Sequence, residues 1–198
     1  ILKRAVASTF NSITIDSDKS TNDMVAIFST RKIKIGQNRS LDDPVIQKIE
    51  MALKRLCENL AKQIVVDGEG AKKFVTVKVK GAKSLISAKK IGFSIANSPL
   101  VKTAIAGEDP NWGRVIMGVG KSGEYIDKNK LSIKFGEFTV AEKGKISDEY
   151  NEQKLREYMK WDSIVIEVDL HLGDTDFECY TCDFTHDYID INADYRKP

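Results

Sequence analysis

One carboxylate in this chain, Glu69, is placed where it could take part in chemistry. It lies between two glycines at the end of a long amphipathic pattern. Glycines let the backbone approach a ligand closely or adopt a positive φ angle. A carboxylate in that setting can hold an amino group, whereas the simpler interpretation is a solvated turn after a helix. The residues by themselves leave both interpretations open.

Asn192, close to the end of the chain, is the second candidate. A side-chain amide both donates and accepts hydrogen bonds, so it can fix a zwitterionic amino acid. An alternating pattern over residues 177–191 predicts a strand that precedes it. The alternative interpretation of Asn192 is therefore an ordinary residue at a strand end.

A third group of polar residues crowds one loop. The loop holds two carboxylates, an amide and a guanidinium around an indole, in the set Glu108, Asp109, Asn111, Arg114 and Trp112. This density is typical of catalytic sites, but also of ion-pair networks that only support a loop. The structural role is favoured, with Trp112 as the apolar anchor of the loop.

A glycine-rich segment resembles a nucleotide-binding motif but fails on its spacing. Residues 118–123 match G-x-G-x-x-G, yet a P-loop also needs a glycine five residues before Gly120, where Val115 stands. No helical pattern follows the segment. It therefore predicts a glycine-rich hairpin turn.

Both histidines of the chain lie near a Cys-x-x-Cys pair, in the set His171, Cys179, Cys182 and His186. Structural zinc sites usually separate their two ligand pairs by about twelve or more residues, and this spacing is far shorter. In a strand through residues 177–190, Cys179 and Cys182 would also face opposite sides of the sheet. No metal site is expected.

The elements that position these residues follow from periodicity. Asp43 before Pro44 predicts a helix start. Apolar residues at helical spacing then predict one long amphipathic helix that leads to Glu69. Its predicted apolar face consists of Val45, Ile46, Ile49, Ala52, Leu53, Leu56, Cys57, Leu60, Ala61 and Ile64.

Shorter elements are predicted on either side. Strands are expected at residues 12–15, 74–79, 115–119 and 164–172, and a hairpin around Gly136. One or two helices are expected over 84–106, and another from Ser147 to Trp161. Segregated helices with largely hairpin-linked strands favour an α+β fold over a doubly wound sheet.

Composition narrows the class of protein. A chain of 198 residues suits one domain, 1–198, and its 31 basic and 29 acidic residues nearly cancel. No basic stripe predicts a nucleic-acid partner, and no apolar run approaches the roughly 18 residues of a membrane helix. Three cysteines, an odd number, argue against a disulfide framework and for a cytoplasmic protein.

Four segments resemble, in the same order, segments of the ornithine acetyltransferases, also called glutamate N-acetyltransferases. They are Phe-Asn-Ser-Ile-Thr-Ile-Asp at residues 10–16, Asp-Gly-Glu-Gly-Ala-Lys at 67–72, the 96–114 segment with Ser-Pro-Leu-Val-Lys-Thr-Ala, and Thr-Cys-Asp-Phe-Thr at 181–185 with Ile-Asn-Ala-Asp-Tyr-Arg at 191–196. One segment alone is a weak signal, whereas four in order are specific.

The resemblance implies an α+β sandwich of helices and mixed sheets, shared with self-processing aminopeptidases. Family members are made as a precursor that cuts itself before a threonine, which becomes the nucleophile at the start of the beta chain. This chain resembles a beta chain whose first roughly twenty residues are missing. The nucleophilic threonine is therefore expected upstream of Ile1. No catalytic residue is expected within the chain, and Thr9, Thr14 and Thr21 do not replace the family threonine.

The resemblance also implies a reaction and its partners. The threonine takes acetyl from N2-acetylornithine and passes it to glutamate, in arginine biosynthesis. No cofactor is needed, although some members accept acetyl-CoA as a co-substrate. The expected partner is the alpha chain of the same precursor, in an alpha2-beta2 heterotetramer. Two alternatives remain, an aminopeptidase-like hydrolase on the same self-cleaving scaffold and a non-catalytic subunit.

The resemblance assigns substrate contacts to two of the candidates, Glu69 and Asn192. In the family, a Ser or Thr five residues after the Asn contacts substrate as well. Lys197 stands at that position here, which departs from the family pattern at this contact.

Overall fold

Six strands form one mixed sheet in the computed structural model, which describes residues 1–36 and 39–194. In chain order they are β1 (Phe74–Ala82), β2 (Ser132–Phe135), β3 (Phe138–Glu142), β4 (Lys145–Ile146), β5 (Ser163–Asp169) and β6 (Thr175–Cys182). Their order across the sheet is β4-β3-β2-β5-β1-β6. β1 runs parallel to β5 and antiparallel to β6, so both edges of β1 are paired.

Seven α-helices in the described residues accompany the sheet. They are α1 (Leu2–Ala7), α2 (Pro44–Val66), α3 (Leu85–Ala96), α4 (Pro99–Ala106), α5 (Trp112–Gly120), α6 (Glu152–Met159) and α7 (His186–Asp194). α3 packs across β1 and β6, and α5 packs on α3. The predicted α+β class is confirmed. No helix in the described residues has the length and apolar character needed to cross a bilayer.

The main core lies between the sheet and the helices on one of its faces. Val75, Val77 and Val79 alternate toward this core along β1, and Ile164 and Ile166 do so along β5. The intervening residues of β5, and those of β1 up to Lys80, are half-buried or exposed. The strand predicted at residues 164–172 is thus confirmed up to Asp169, where β5 ends, with the alternation that a half-covered sheet requires.

The predicted strand at 115–119 is wrong, because these residues lie in α5. Asn111 caps this helix by accepting a hydrogen bond from the Arg114 N–H. Val115 and Val119, four residues apart, are both buried, which is helical and not strand periodicity. A short apolar run does not distinguish the two by itself.

Residues 118–123 accordingly form no hairpin turn, which corrects a second prediction. They end α5 and continue into a turn. At Gly118 an added Cβ would lie 3.2 Å from the Ile95 Cα, so this glycine lets α5 approach α3 closely. The segment also lacks the strand-before, helix-after order of a P-loop.

The end of the chain differs most from the prediction. β6 ends at Cys182 and α7 begins at His186, so residues 177–191 are not one strand. β5 and β6 do not form a hairpin either, because β1 lies between them in the sheet. Near the start, the strand predicted at 12–15 is reduced to a single bridge between Ile13 and Tyr180.

Other predictions hold with shifted limits. The hairpin around Gly136 is formed by β2 and β3, and residues 84–106 contain two helices. The helix predicted from Ser147 begins later, at Glu152, where Asn151 accepts a hydrogen bond from the Lys154 N–H. A capping amide at Asn151 therefore replaces the predicted start.

The long helix α2 begins at Pro44 as predicted, with the Asp43 side chain accepting from the Val45 N–H. Its predicted apolar face, however, is buried only at Cys57 and Ala61, followed by Val65. Five residues of the same predicted face form an exposed apolar stripe, namely Val45, Ile49, Leu56, Leu60 and Ile64. The described chain therefore covers only part of the apolar surface of this helix.

We expect Ile166→Ala to lower the free energy of unfolding by about 2–5 kcal/mol, because it leaves a cavity in a central strand. Val165→Ala is the matched control, since Val165 lies on the half-covered face of the same strand. Urea unfolding should give a loss for Val165→Ala less than half as large. Equal losses would contradict the placement of the core on one face.

Candidate functional site

Glu69 and Asn192 are in direct contact although they lie far apart in the sequence. The Asn192 Nδ2 donates to the Glu69 Oε2 at 2.5 Å, and also to the Tyr188 carbonyl at 2.9 Å. Both side chains are solvent-accessible. The structure thus brings together two of the three predicted site residues, and the third, Lys197, lies outside the described residues.

The turn that carries Glu69 is shaped by its neighbour Gly70. This glycine has φ +68, a left-handed conformation that side chains rarely adopt. An added Cβ would lie 2.5 Å from the Tyr188 backbone nitrogen, so only glycine allows α7 to approach. The Thr185 hydroxyl donates to the Gly70 carbonyl at 2.6 Å and holds the two segments together.

Asp183 also connects the loop that carries Glu69 to the segment before α7. Its Oδ1 accepts from the backbone N–H of Lys72 at 2.8 Å and from that of Lys73 at 2.9 Å. The carboxyl group is buried, and hydrogen bonds to a charged acceptor are among the stronger ones in proteins. The loop after α2 is therefore fixed to the segment that leads into α7.

Tyr188 ties α7 to the first polar loop of the chain. Its ring stacks on Phe184 with centroids 4.6 Å apart, and its hydroxyl donates to the Asp16 Oδ2 at 2.9 Å. Burial, together with the hydrogen bond to Asp16, raises the pKa of Tyr188 to about 12. The hydroxyl therefore remains a donor throughout the physiological pH range.

Lys102 is a buried cation that the sequence did not single out. It lies on α4, and its Nζ donates to the Thr181 Oγ1 at 2.9 Å and to the Cys182 carbonyl. The ammonium also lies 4.6 Å from the centre of the Phe184 ring. Burial lowers the pKa of Lys102 below its usual value. The one available signal was a lysine within the apolar run of α4.

The polar side chains of residues 108–114 contact one another and neighbouring segments of the fold. Asn111 caps α5 and donates to the Asp109 Oδ2 at 2.9 Å. Arg114 donates to the Leu100 carbonyl at 2.8 Å, and Glu108 pairs with Lys73 at 3.4 Å. These contacts agree with the structural role favoured from the sequence.

The two cysteines of the Cys-x-x-Cys pair are buried in different places. Cys179 belongs to the main core, whereas Cys182 belongs to a small cluster with Val65 and Tyr180. Burial raises the pKa of both thiols. Within residues 1–36 and 39–194, no three His, Cys, Asp or Glu side chains gather as a metal site would require.

The first residues of the chain form the short helix α1. The Ile1 carbonyl accepts from the N–H groups of Arg4 and Ala5, both at 3.0 Å, and so opens the first turn of α1. The Thr9 hydroxyl is buried and donates to the Ala5 carbonyl, and the Thr14 hydroxyl donates to the Asn97 Oδ1. Both hydroxyls are therefore occupied in supporting the fold. The threonine expected upstream of Ile1 precedes the first residue of this structure, so its placement stays a prediction.

The arrangement around Glu69 is suited to hold an amino acid. Glu69 offers a carboxylate to an ammonium group, and Asn192 offers both a donor and an acceptor. A cavity of 590 Å³ lies between α4 and α7 and is lined by Lys72, Gly107, Phe184 and Tyr188 among others. Tyr188 connects this cavity to the pair, because its carbonyl accepts a hydrogen bond from Asn192.

A model of the ArgJ family matches residues 1–197. The chain belongs to the ArgJ family. Its relatives include the arginine biosynthesis bifunctional protein ArgJ of Brucella melitensis, 48% identical over 200 residues that cover all of this chain and 48% of the relative. The protein of the same name from Gluconobacter oxydans is 49% identical over 197 residues, which cover 46% of it.

A solved structure supports the same family. The crystal structure of arginine biosynthesis bifunctional protein argJ from Bacillus halodurans matches with a TM-score of 0.90 and 37% identity, over 98% of this chain and 91% of that one. The ArgJ family chain described here spans about half the length of the curated relatives it matches. The family predicted from four sequence segments is confirmed.

We expect Gly70→Ala in this ArgJ family chain to destabilise α7, because its Cβ meets the Tyr188 backbone. Gly123→Ala is the control, since Gly123 has φ +75 but open space around it. Both changes incur left-handed strain of about 1–2 kcal/mol. Only Gly70→Ala should add a further loss of unfolding free energy and faster hydrogen exchange in α7. Equal effects would show that the close approach is unimportant.

Proposed function

We propose that this chain is the beta chain of an N-acetyltransferase that moves acetyl from N2-acetylornithine to glutamate, in arginine biosynthesis. The observation that carries the proposal is the hydrogen bond that Asn192 donates to Glu69. The relatives named for arginine biosynthesis support the same activity. The family resemblance independently assigns substrate contacts to both residues.

The reaction is a double displacement with two acyl transfers. A threonine oxygen from upstream of Ile1 attacks the acetyl carbonyl of acetylornithine, and ornithine leaves as the protonated amine. The glutamate amine then attacks the acetyl-threonine ester, and the threonine oxygen takes back a proton. Oxyanion groups attributed to the alpha chain stabilise each tetrahedral intermediate.

The role of this chain is to hold the two amino acids in turn. Glu69 accepts hydrogen bonds from an ammonium group, and Asn192 fixes the amino-acid end shared by both substrates. Because Asn192 donates to Glu69, the two side chains orient each other and act as one unit. Lys197 stands where the family has a Ser or Thr hydroxyl. A lysine ammonium can only donate hydrogen bonds, whereas a hydroxyl both donates and accepts them.

No cofactor is required for this chemistry, since acetyl passes from substrate to threonine to substrate. Acetyl-CoA is an alternative donor in the family and would use the same threonine. We place the enzyme in the cytoplasm, because its three cysteines are unpaired and buried.

We further propose that the alpha chain of the same precursor packs on the exposed stripe of α2, and that two such pairs form an alpha2-beta2 heterotetramer. Leu56, Leu60 and Ile64 on this stripe are each more than two-fifths exposed. Large exposed apolar patches mark interaction sites in proteins. The curated relatives are about twice as long as this chain, and the half that the chain does not span would supply that partner.

We expect Glu69→Gln and Asn192→Ala each to reduce the rate of acetyl transfer by about ten- to a thousandfold, or about 1.4–4 kcal/mol of transition-state stabilisation. The double variant should lose less than the product of the single losses, because the two residues share a hydrogen bond. Kinetics of both half-reactions in the assembled enzyme measure this. Both acetylornithine and glutamate should be affected.

Glu152→Gln, on the distant helix α6, is the control and should leave the kinetics unchanged. Unchanged kinetics for Glu69→Gln would reduce Glu69 to a turn residue. Loss with only one substrate would argue against a shared pocket, and release of free acetate in place of acetylglutamate would support a hydrolase.

The assembly proposal predicts that Leu56→Asp with Leu60→Asp, in the full precursor, separates the two chains. Charged groups in an apolar interface remain unpaired and oppose association. Lys48→Asp with Asn59→Asp changes the polar side of the same helix and serves as the control. Light scattering after size-exclusion chromatography should show dissociation only for the leucine variant. An intact complex in that variant would place the partner elsewhere.

A further inference from the structure

The side chain of Lys102 is almost completely buried, with 1% of its surface exposed. An ammonium has three donors. All three have acceptors here, the Thr181 Oγ1, the Cys182 carbonyl oxygen and the Cys182 Sγ at 3.6 Å. Every one of these acceptors belongs to the end of β6. Lys102 is therefore directed entirely at one short segment, residues 181–182.

Stability alone does not explain a lysine at this position. Its neighbours on the buried side of α4, Val101 and Ile105, are apolar, and an apolar side chain here would avoid the cost of burying a charge. Buried polar groups that cost stability often fix one geometry among several. The geometry that Lys102 fixes is the course of the chain at the end of β6.

That course determines where the candidate site forms. Asp183 follows directly and accepts from the Lys72 and Lys73 amides, in the loop that carries Glu69. Phe184 comes next, donates its N–H to the Lys102 carbonyl at 3.3 Å and stacks on Tyr188. The Tyr188 carbonyl in turn accepts from Asn192. Residues 181–184 thus connect Lys102 to both members of the pair.

We propose that Lys102 is a positioning residue for acetyl transfer, which sets the relative placement of Glu69 and Asn192 through residues 181–184. This inference rests on the function proposed for that pair. Lys102 acts beneath the site and touches no substrate. Its removal should shift both Glu69 and Asn192, so both substrates should be affected together.

The test is Lys102→Met in the assembled enzyme, a change that keeps the length of the side chain and removes its donors. We expect kcat to fall by about ten- to a hundredfold for both half-reactions, because small misplacements of reacting groups are costly. Lys102→Arg keeps donors and charge and should recover part of the rate. Ile105→Ala, also buried on α4, is the control for lost stability and should keep its kcat after correction for folded enzyme.

A double-mutant cycle separates positioning from a general structural role. In a background that carries both Glu69→Gln and Asn192→Ala, Lys102→Met should cost much less than in the wild type, since the placement of neither side chain matters any longer. Equal costs in the two backgrounds, or a wild-type kcat for Lys102→Met, would overturn the inference. If Lys102→Met does not fold, Thr181→Val removes one acceptor of the ammonium and should show the same non-additivity on a smaller scale.

The outcomes for the two proposals are distinguishable. A wild-type enzyme without acetyl transfer from acetylornithine to glutamate would overturn the proposed function. A wild-type enzyme that transfers acetyl and is impaired by Glu69→Gln, but unaffected by Lys102→Met, would overturn only the role of Lys102.

Discussion

The antiparallel pairing of β1 with β6 decides where the candidate site forms. In this register Phe74, at the start of β1, lies opposite Cys182, at the end of β6. The residues just before β1 and just after β6 must therefore lie close together, at the same end of these two strands. Those residues are the loop that carries Glu69 and the segment that leads to α7. Contact between Glu69 and Asn192 is thus a consequence of strand register.

Register brings the segments close, but a buried polar network fixes their separation. Asp183 accepts hydrogen bonds from two backbone amides of the loop before β1. Lys102 donates a hydrogen bond to Thr181 at the end of β6. Such groups are costly to bury and costlier to leave unpaired, so the network tolerates few alternative arrangements. A steric condition is added by Gly70, which has no Cβ and so allows α7 to approach the turn that carries Glu69.

The sequence singled out two candidate residues, but it predicted the structure around them less well. The glycines around Glu69 and the resemblance of the last segment pointed to Glu69 and Asn192, and the structure places the two in contact. Their contact could not be predicted, because α7 is short and mostly polar and its residues also alternate like a strand. Lys102 escaped notice because nothing in a single lysine distinguishes a buried ammonium from a solvated one. The apolar face of α2 was found, but burial depends on what covers a face, and sequence periodicity does not report that.

The exposed stripe of α2 and the candidate site are parts of one continuous element. α2 ends at Val66, and Glu69 follows within the next turn of the chain. A partner that packs on Leu56, Leu60 and Ile64 would therefore approach the site along the helix that leads to Glu69. The placement of Glu69 and Asn192 depends on contacts within this chain, whereas the proposed oxyanion groups come from the alpha chain. Docking of the alpha chain on α2, as proposed above, would then set the distance between the Glu69–Asn192 pair and those oxyanion groups.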